Sequence, residues 1–174
     1  MRVPMRLALV APLALCLVAD YSMAAKPAFL CAADEQVVFG CQLKNKKMAS
    51  LCASKVLNAS TGYVQYRFGT SKSLELEYPA QRALPKGHFY ISSTAYSGGG
   101  ASRVRFKNGD AEYFLFDSTV RTNFKPGEPN NPQFEAGIEV QQKGKPASVR
   151  YCVNDASNSS LAYEQFEKEA FVEE

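Results

Sequence analysis

The stretch RVRFKNGDAEYFLF, residues 103–116, decides the fold class because it has the pattern of two strands joined by a tight turn. Asn108-Gly109 is the leading signal for a type I′ turn, which needs positive φ at both central residues. A two-residue loop there pairs opposite charges across one face: Lys107 with Asp110 and Arg105 with Glu112. The same register pairs apolar residues on the other face: Val104 with Tyr113 and Phe106 with Ala111. The stretch therefore predicts an antiparallel hairpin.

One further hairpin is predicted on each side of this one. The runs YVQYRF (residues 63–68) and LELEY (residues 74–78) alternate apolar and polar residues with a period of two. Folding them about Ser71 sets Phe68 against Leu74 on one face and Arg67 against Glu75 on the other. Residues 137–153 form the third hairpin, with a turn at Lys143-Gly144 that sets Ile138 against Val149.

The number of short strands indicates the architecture. About eight or nine strands with closely spaced turns are typical of an antiparallel β-barrel or β-sandwich, and not of a parallel α/β sheet. One helix is expected at the C-terminus, in SSLAYEQFEKEAFVEE (residues 159–174), with Ser159 or Ser160 as its N-cap. We therefore predict an all-β domain with a short C-terminal helix.

The N-terminus predicts an exported protein. Arg2 and Arg6 precede a run of small and apolar residues, and Ser22 and Ala24 occupy the −3 and −1 positions of a cleavage site. Residues 1–24 are therefore expected to be a secretory signal peptide, and residues 25–174 a single disulfide-stapled β domain. We expect a periplasmic or secreted location. No later apolar run predicts a membrane span.

The charge of the mature chain excludes several classes of partner. The full sequence has a formal net charge of +3, and the leader carries Arg2, Arg6 and Asp20, so about +2 remains after cleavage. A charge this small, with no long block of one sign, does not favour nucleic acid or a membrane surface. The sequence also gives no reason to expect a cofactor.

The mature chain keeps four cysteines: Cys31, Cys41, Cys52 and Cys152. An even number in an exported protein predicts disulfides, and four cysteines allow three pairings. A hairpin with its turn at Asn45-Lys46 places Cys41 and Cys52 on one face as diagonal neighbours. This favours Cys41–Cys52 with Cys31–Cys152, while the other two pairings stay open.

No catalytic or metal-binding set is predicted. His88 is the single histidine, and the chain has no G-x-S-x-G motif to supply a nucleophile. Glu75, Glu77 and Glu112 each have a predicted cross-strand partner, so paired catalytic carboxylates are not indicated. Once the cysteines are bridged, a zinc site lacks ligands. We therefore expect a non-enzymatic protein.

The stretch YSGGGAS, residues 96–102, is the candidate recognition loop. A phosphate-binding loop would be followed by a helix, but Arg103 and Val104 begin a strand. Three glycines instead allow positive φ and close backbone approach at a mobile hairpin tip. The candidate partner-binding residues are Tyr96, Ser97, Gly98, Gly99, Gly100, Arg103 and Lys107.

Residues 96–117 resemble part of the periplasmic and membrane-bound inhibitors of C-type lysozyme, which are small exported β-barrel proteins. That resemblance implies that Ser97, Gly98 and Lys107 enter the substrate cleft of a lysozyme. This sequence differs from the family in having no Trp and no Tyr directly after the loop. We predict an inhibitor or immunity-like protein that blocks a wall-active enzyme, with a lipocalin-like binder of a small hydrophobic ligand or a cell-wall hydrolase as alternatives.

Overall fold

The computed structural model describes residues 29–153, 157–158 and 160–172, with the side chains of 157–158 excepted. The predicted signal peptide, residues 1–24, lies outside the described residues. The strands are β1 (Glu35–Gln42), β2 (Met48–Ser54), β3 (Val64–Thr70), β4 (Ser73–Ala83), β5 (Tyr90–Tyr96), β6 (Gly99–Asn108), β7 (Ala111–Arg121), β8 (Pro132–Gln142), β9 (Ser148–Tyr151), β10 (Ser157–Asn158) and β11 (Glu167–Lys168). One helix, α1, spans Leu161–Gln165.

The strands form two sheets that pack as a sandwich. The first sheet has the order β10-β1-β2-β3-β4, and the second has the order β11-β5-β6-β7-β8-β9. The predicted all-β class is confirmed. Of the two predicted architectures it is sandwich-like, because the pairings of the described strands do not close a barrel. No helix in the described part of the chain is long and apolar enough to cross a membrane.

The core lies between the inner faces of the two sheets. The first sheet contributes alternate residues of β2, Ala49, Leu51 and Ala53, all fully buried. The second contributes Phe106, whose ring lies 4.7 Å from Tyr66 between centroids. Period-two alternation places these side chains on one face of each strand, so the sequence pattern and the packing agree.

The β6–β7 hairpin forms as predicted, but its register is two residues different. Asn108 pairs with Ala111, so the two-residue loop is Gly109-Asp110 and not Asn108-Gly109. In this turn only Gly109 has positive φ, +59°, which is the pattern of a type II′ turn with Gly at its first central position. A shift of two residues keeps every side chain on its predicted face but changes its partner: Lys107 pairs with Glu112, and Arg105 with Phe114.

The other two hairpins also differ in register from the prediction. In β3–β4 the loop is Ser71-Lys72, and bulges in the ladder set Arg67 opposite Glu77 and Phe68 opposite Leu76. In β8–β9, Ile138 pairs with Arg150 and not with Val149. That one-residue change moves Val149 to the outer face, where it is 44% exposed.

The favoured disulfide pairing is wrong. The disulfides are Cys31–Cys52 and Cys41–Cys152. Cys41 pairs with Ala49 on the core face, whereas Cys52 pairs with Val37 on the opposite face. Gln42 pairs with Met48, whereas the predicted Asn45-Lys46 turn would pair it with Ala49. This register shift of one residue places the two sulfurs on opposite sides of the sheet.

The C-terminal segment is only partly helical. Ser160 is the N-cap of α1, as predicted, but the helix ends after Gln165 because Phe166 is extended, with φ −94° and ψ 155°. The following strand β11 pairs in parallel with β5. The buried Phe166 ring stacks on Phe89 at 5.7 Å, so packing against the core replaces the predicted continuation of the helix.

Candidate partner-binding surface

A tight turn joins β5 to β6 at one end of the second sheet. Tyr96 pairs with Gly99, which leaves Ser97 and Gly98 as the two exposed turn residues. Gly98 has φ +83°, a conformation that is costly for residues with a Cβ. The glycine is therefore required here by the backbone of the turn.

The two glycines after the turn are needed for close packing of the strands and not for the conformation of the turn. Gly99 and Gly100 lie inside β6. A Cβ on Gly99 would overlap the carbonyl oxygen of Thr119, and one on Gly100 would lie 2.9 Å from that of Thr94. These residues allow close strand packing. The tip is therefore shorter than the predicted three-glycine loop, and only Ser97 and Gly98 project from the sheet.

Arg121, at the end of β7, supports this turn from below. A Cβ built on Gly98 would lie 3.0 Å from Cδ of Arg121. The guanidinium donates a hydrogen bond to the carbonyl oxygen of Asn123 and lies 4.9 Å from the centre of the Phe124 ring. The side chain of Arg121 thus connects the β5–β6 turn to the loop that follows β7.

That loop, residues 122–131, is held by its own hydrogen bonds. The backbone N–H groups of Thr122 and Asn123 donate to the carbonyl oxygen of Asn130 at 3.2 and 3.0 Å. The Asn123 amide nitrogen donates to Pro129 and to Glu128, both at 3.0 Å. The contacts give this long loop a defined shape and position Phe124 beside the turn.

The side chains around the turn are apolar and accessible to solvent. Tyr96 is 37% exposed, Val120 45% and Phe124 65%. Together with Ser97 and Gly98 they form what we call the tip surface. Tyr96 and Val120 line one groove, and Phe124 packs against Arg121 beside the same turn. Exposed apolar side chains that are grouped, and not scattered singly, mark interaction sites on proteins.

A groove on the outer face of the second sheet continues from the tip surface. It encloses about 410 Å³, and its lining residues include Tyr96, Arg103, Phe116, Val120, Tyr151 and Phe171. The guanidinium of Arg103 lies 5.3 Å from the Phe171 ring. Phe116 and Tyr151 meet edge to face at 5.8 Å. We call this the outer groove. Tyr96 and Val120 belong to both features.

The predicted site residues are therefore only partly brought together. Tyr96, Ser97 and Gly98 lie at the tip surface, and Arg103 lines the outer groove. Lys107 is eight residues beyond Gly99 along β6, roughly 26 Å away at about 3.3 Å per residue, and it pairs with Glu112. The arrangement implied by the resemblance, with Lys107 beside the turn, is not present.

The sequence reasoning did not identify Val120, Arg121 or Phe124 as site residues. They come from β7 and the loop after it, and they reach the turn only because β7 pairs with β6 over its whole length. Alternation along β7 could have identified Val120. It lies four residues after Phe116 and therefore on the same outward face, where an apolar side chain is exposed to solvent.

Polar groups elsewhere have structural partners. The ring nitrogen Nδ1 of His88 lies 3.4 Å from the Tyr78 hydroxyl. Ligand atoms of Cys31, Glu35 and Cys52 lie within 4.8 Å of one another. The two sulfurs are joined in a disulfide, however, and the Glu35 carboxylate accepts hydrogen bonds from Arg67. A bridged cysteine is not a thiolate, so this cluster has no metal-binding thiolates while the disulfide is intact.

The chain was compared with protein-family models, with curated proteins and with solved structures. None of these three comparisons finds a match.

Proposed function

We propose that this chain is an exported, non-enzymatic protein that binds another protein through its tip surface. The observation that carries the proposal is the exposed apolar set Tyr96, Val120 and Phe124 around a tight turn. Accessible apolar and aromatic side chains grouped around one turn are typical of a protein interface.

Preorganisation supports a binding role. Arg121 packs beneath Gly98 of the turn, and hydrogen bonds hold the neighbouring loop. A surface that is already ordered pays less conformational entropy on association than a mobile loop would. The outer groove extends the tip surface and adds contact area next to it.

The partner we propose is a wall-active enzyme of the lysozyme type, which would make the protein an inhibitor or an immunity-like protein. A two-residue turn is narrow enough to enter a concave substrate cleft. The resemblance of residues 96–117 to lysozyme inhibitors supports this reading through Ser97 and Gly98, while the position of Lys107 does not contribute. The two disulfides are typical of proteins in oxidising compartments.

The experiment is an inhibition panel. The mature protein, with both disulfides intact, would be titrated against C-type and other lysozymes and against wall amidases. Ser97→Arg places a bulky charge at the turn and should weaken inhibition of the responsive enzyme at least about tenfold. Asp110→Arg is the matched control, because Asp110 is an exposed residue of the tight turn at the opposite end of β6.

Two results would contradict the proposal. If no enzyme of the panel is inhibited, the enzyme-directed role is wrong. If an enzyme is inhibited equally by Ser97→Arg, Asp110→Arg and the unaltered protein, inhibition takes place away from the tip surface.

A further inference from the structure

A second cavity lies between the two sheets, away from the tip surface and the outer groove. It encloses about 370 Å³ on the open side of the sandwich. Its walls are apolar side chains of both sheets: Tyr66, Phe68 and Leu76 from the first, and Tyr113, Ile138 and Val140 from the second. We call it the inter-sheet cleft. Its volume lies within the range of about 300–1,000 Å³ found for small-molecule sites.

The cleft lies next to the part of the core that aromatic side chains fill. Phe106 stacks on Tyr113 at 4.8 Å and on Tyr78 at 4.9 Å, and Phe89 packs against Phe106 at 5.6 Å. Beyond this aromatic cluster, Phe68 and Val140 are only partly buried. Protein interiors are normally close-packed, so an apolar gap of this size can accommodate an apolar molecule.

The mouth of the cleft carries charged side chains. Lys47 and Glu75 form an ion pair at 2.7 Å, which neutralises both. Arg150 lies on the opposite sheet, 6.0 Å from the centre of the Phe68 ring. Within the described parts of the chain, no carboxylate lies in ion-pair distance of Arg150. The mouth therefore presents one uncompensated cation.

Tyr66 contributes a second polar group, its hydroxyl, to the residues that line the cleft. No hydrogen-bond partner of this hydroxyl is found among the residues that the structure describes, and none of their fully buried polar side-chain atoms lacks a partner. Tyr66 is one of the residues that line the cleft, and it is 1% exposed. Burial raises the pKa of the Tyr66 phenol, Tyr113 raises it further, and Arg150 lowers it. The phenol is thus a neutral hydrogen-bond donor, and it lies close enough to Arg150 to interact with its charge.

From this arrangement we infer that the inter-sheet cleft binds a small amphipathic anion. An apolar body of a medium-length chain lies between the two sheets, and its carboxylate head group is bound by Arg150 at the mouth. Charge complementarity selects the sign of the head group, since Arg150 is a strong donor for oxyanions. The inference stands on residues separate from the tip surface and does not rest on the proposed inhibition.

The test compares three ligands that share one apolar chain. Decanoate, decan-1-ol and decyltrimethylammonium would be titrated into the oxidised mature protein by calorimetry. The two charged ligands would be kept below their micelle concentrations and decan-1-ol below its solubility limit. Decanoate should bind, decan-1-ol about tenfold more weakly, and the cation not measurably. Arg150→Leu should weaken decanoate binding about tenfold and leave decan-1-ol binding unchanged.

A second variant separates the cleft from the rest of the surface. Ser148 is an exposed residue that lines the cleft, so Ser148→Trp should obstruct the mouth and remove binding of both decanoate and decan-1-ol. Arg103→Leu, in the outer groove, is the control and should leave both affinities unchanged. Circular dichroism verifies that each variant is folded.

Three outcomes would overturn the inference. Failure of decanoate to bind the unaltered protein excludes the site. Equal binding of all three ligands removes the charge selectivity. Loss of binding in Arg103→Leu with retention in Ser148→Trp places the ligand in the outer groove and not in the inter-sheet cleft.

Discussion

The carboxylate of Glu35 is held by the guanidinium of Arg67 through two hydrogen bonds, with Nη1–Oε2 at 2.5 Å and Nη2–Oε1 at 2.8 Å. The Glu35 side chain is fully buried, and that of Arg67 is 7% exposed. The same guanidinium donates to the carbonyl oxygen of Leu30 at 3.0 Å. This bidentate pair fastens the N-terminal segment over the outer face of the first sheet, next to the Cys31–Cys52 disulfide.

Removing one partner of this pair should be strongly destabilising. Glu35→Gln or Arg67→Met leaves a buried group without its counterpart, and breaking a buried ion pair in this way costs about 3–5 kcal/mol. The double variant should lose less than the sum of the two single losses, because it removes both charges together. Urea denaturation measures each free energy of unfolding. Single-variant losses below about 1 kcal/mol would show that the pair is unimportant for stability.

Acid should weaken the fold through the same carboxylate. Burial alone raises the pKa of Glu35, but hydrogen bonds from Arg67, Ala32 and Tyr63 outweigh it and hold the pKa at about 2, below its ordinary value of 4.5. A group with a lowered pKa in the folded state stabilises the protein above its unfolded pKa. That stability is lost as the pH falls through the folded value.

The unfolding free energy should therefore decrease as the pH falls from 4.5 to about 2. Glu35→Gln cannot be protonated and should show a shallower decrease over this interval. Denaturant titrations at several pH values compare the two proteins. Identical slopes would mean that another carboxylate controls acid stability.

The two disulfides should contribute unequally to stability. Cys41–Cys152 joins residues 111 apart and links the two sheets, whereas Cys31–Cys52 joins residues 21 apart. In the chain-entropy account, a crosslink stabilises more when it closes a longer loop, by about 4.7 kcal/mol near 100 residues and about 3 kcal/mol near 15. Replacing Cys41 and Cys152 with Ala should thus be the more costly change by about 1–2 kcal/mol.

Chemical denaturation of the two double variants tests this order. Peptide mapping without reduction tests the pairing itself, because a peptide linking Cys41 to Cys52 would contradict the structure. Equal losses in the two variants would indicate that local strain or residual structure outweighs loop length.

Glycine at the start of β6 should resist substitution more than the glycine of the β6–β7 turn. A Cβ at Gly99 would overlap the Thr119 carbonyl oxygen, while a Cβ at Gly109 would meet nothing within 4 Å. Gly109→Ala therefore incurs only the penalty of positive φ, about 1–2 kcal/mol. Gly99 has no positive φ, but Gly99→Ala must displace the β7 backbone at Thr119 and should cost more, about 3 kcal/mol. The midpoints of urea denaturation rank the two variants, and the reverse order would contradict the packing of β6 against β7.

The sequence was sufficient to predict most strands and the inward faces of β3, β6 and β7, because alternation with a period of two is a local property. It assigned Cys52 and Val149 to the wrong faces. It could not predict the registers, since these depend on which turn residue takes positive φ and on bulges. Arg67 illustrates the limit. Its predicted partner was the nearby Glu75, but the structure pairs it with Glu35, which is 32 residues away in sequence.

The candidate site shows the same division. Tyr96, Ser97 and Gly98 were identified because a glycine-rich turn between two strands is a local signal. Arg121 and Phe124 join them through the pairing of β6 with β7 and through hydrogen bonds within the following loop. Arg150 faces the inter-sheet cleft only because the β8–β9 ladder is one residue different from the predicted one. Contacts of this kind depend on register, which the alternation pattern leaves undetermined.

The C-terminal segment should be fastened to the second sheet by a weaker ion pair than the one at Glu35. Arg105 contacts Glu169 with Nη2–Oε2 at 2.6 Å and Nε–Oε1 at 3.0 Å, and the two side chains are 24% and 25% exposed. The hydrogen bonds that Arg105 donates to Glu169 raise the pKa of Arg105, which keeps the guanidinium charged at any ordinary pH. At this degree of exposure we expect a coupling energy of about 1 kcal/mol that decreases in 1 M salt.

A double-mutant cycle with Arg105→Ala and Glu169→Ala measures that coupling. Hydrogen exchange gives an independent reading, because the Glu169 N–H donates to the carbonyl oxygen of Ile91 at 3.0 Å. Exchange at Glu169 should accelerate in Arg105→Ala, while exchange at Leu51 in the centre of the first sheet should not, since loosening of the tail is a local opening. Acceleration at both sites would instead mean that the tail and the core unfold as one unit. Phe171 follows Glu169 and lies against Arg103, so loosening this segment should also widen the outer groove at that wall.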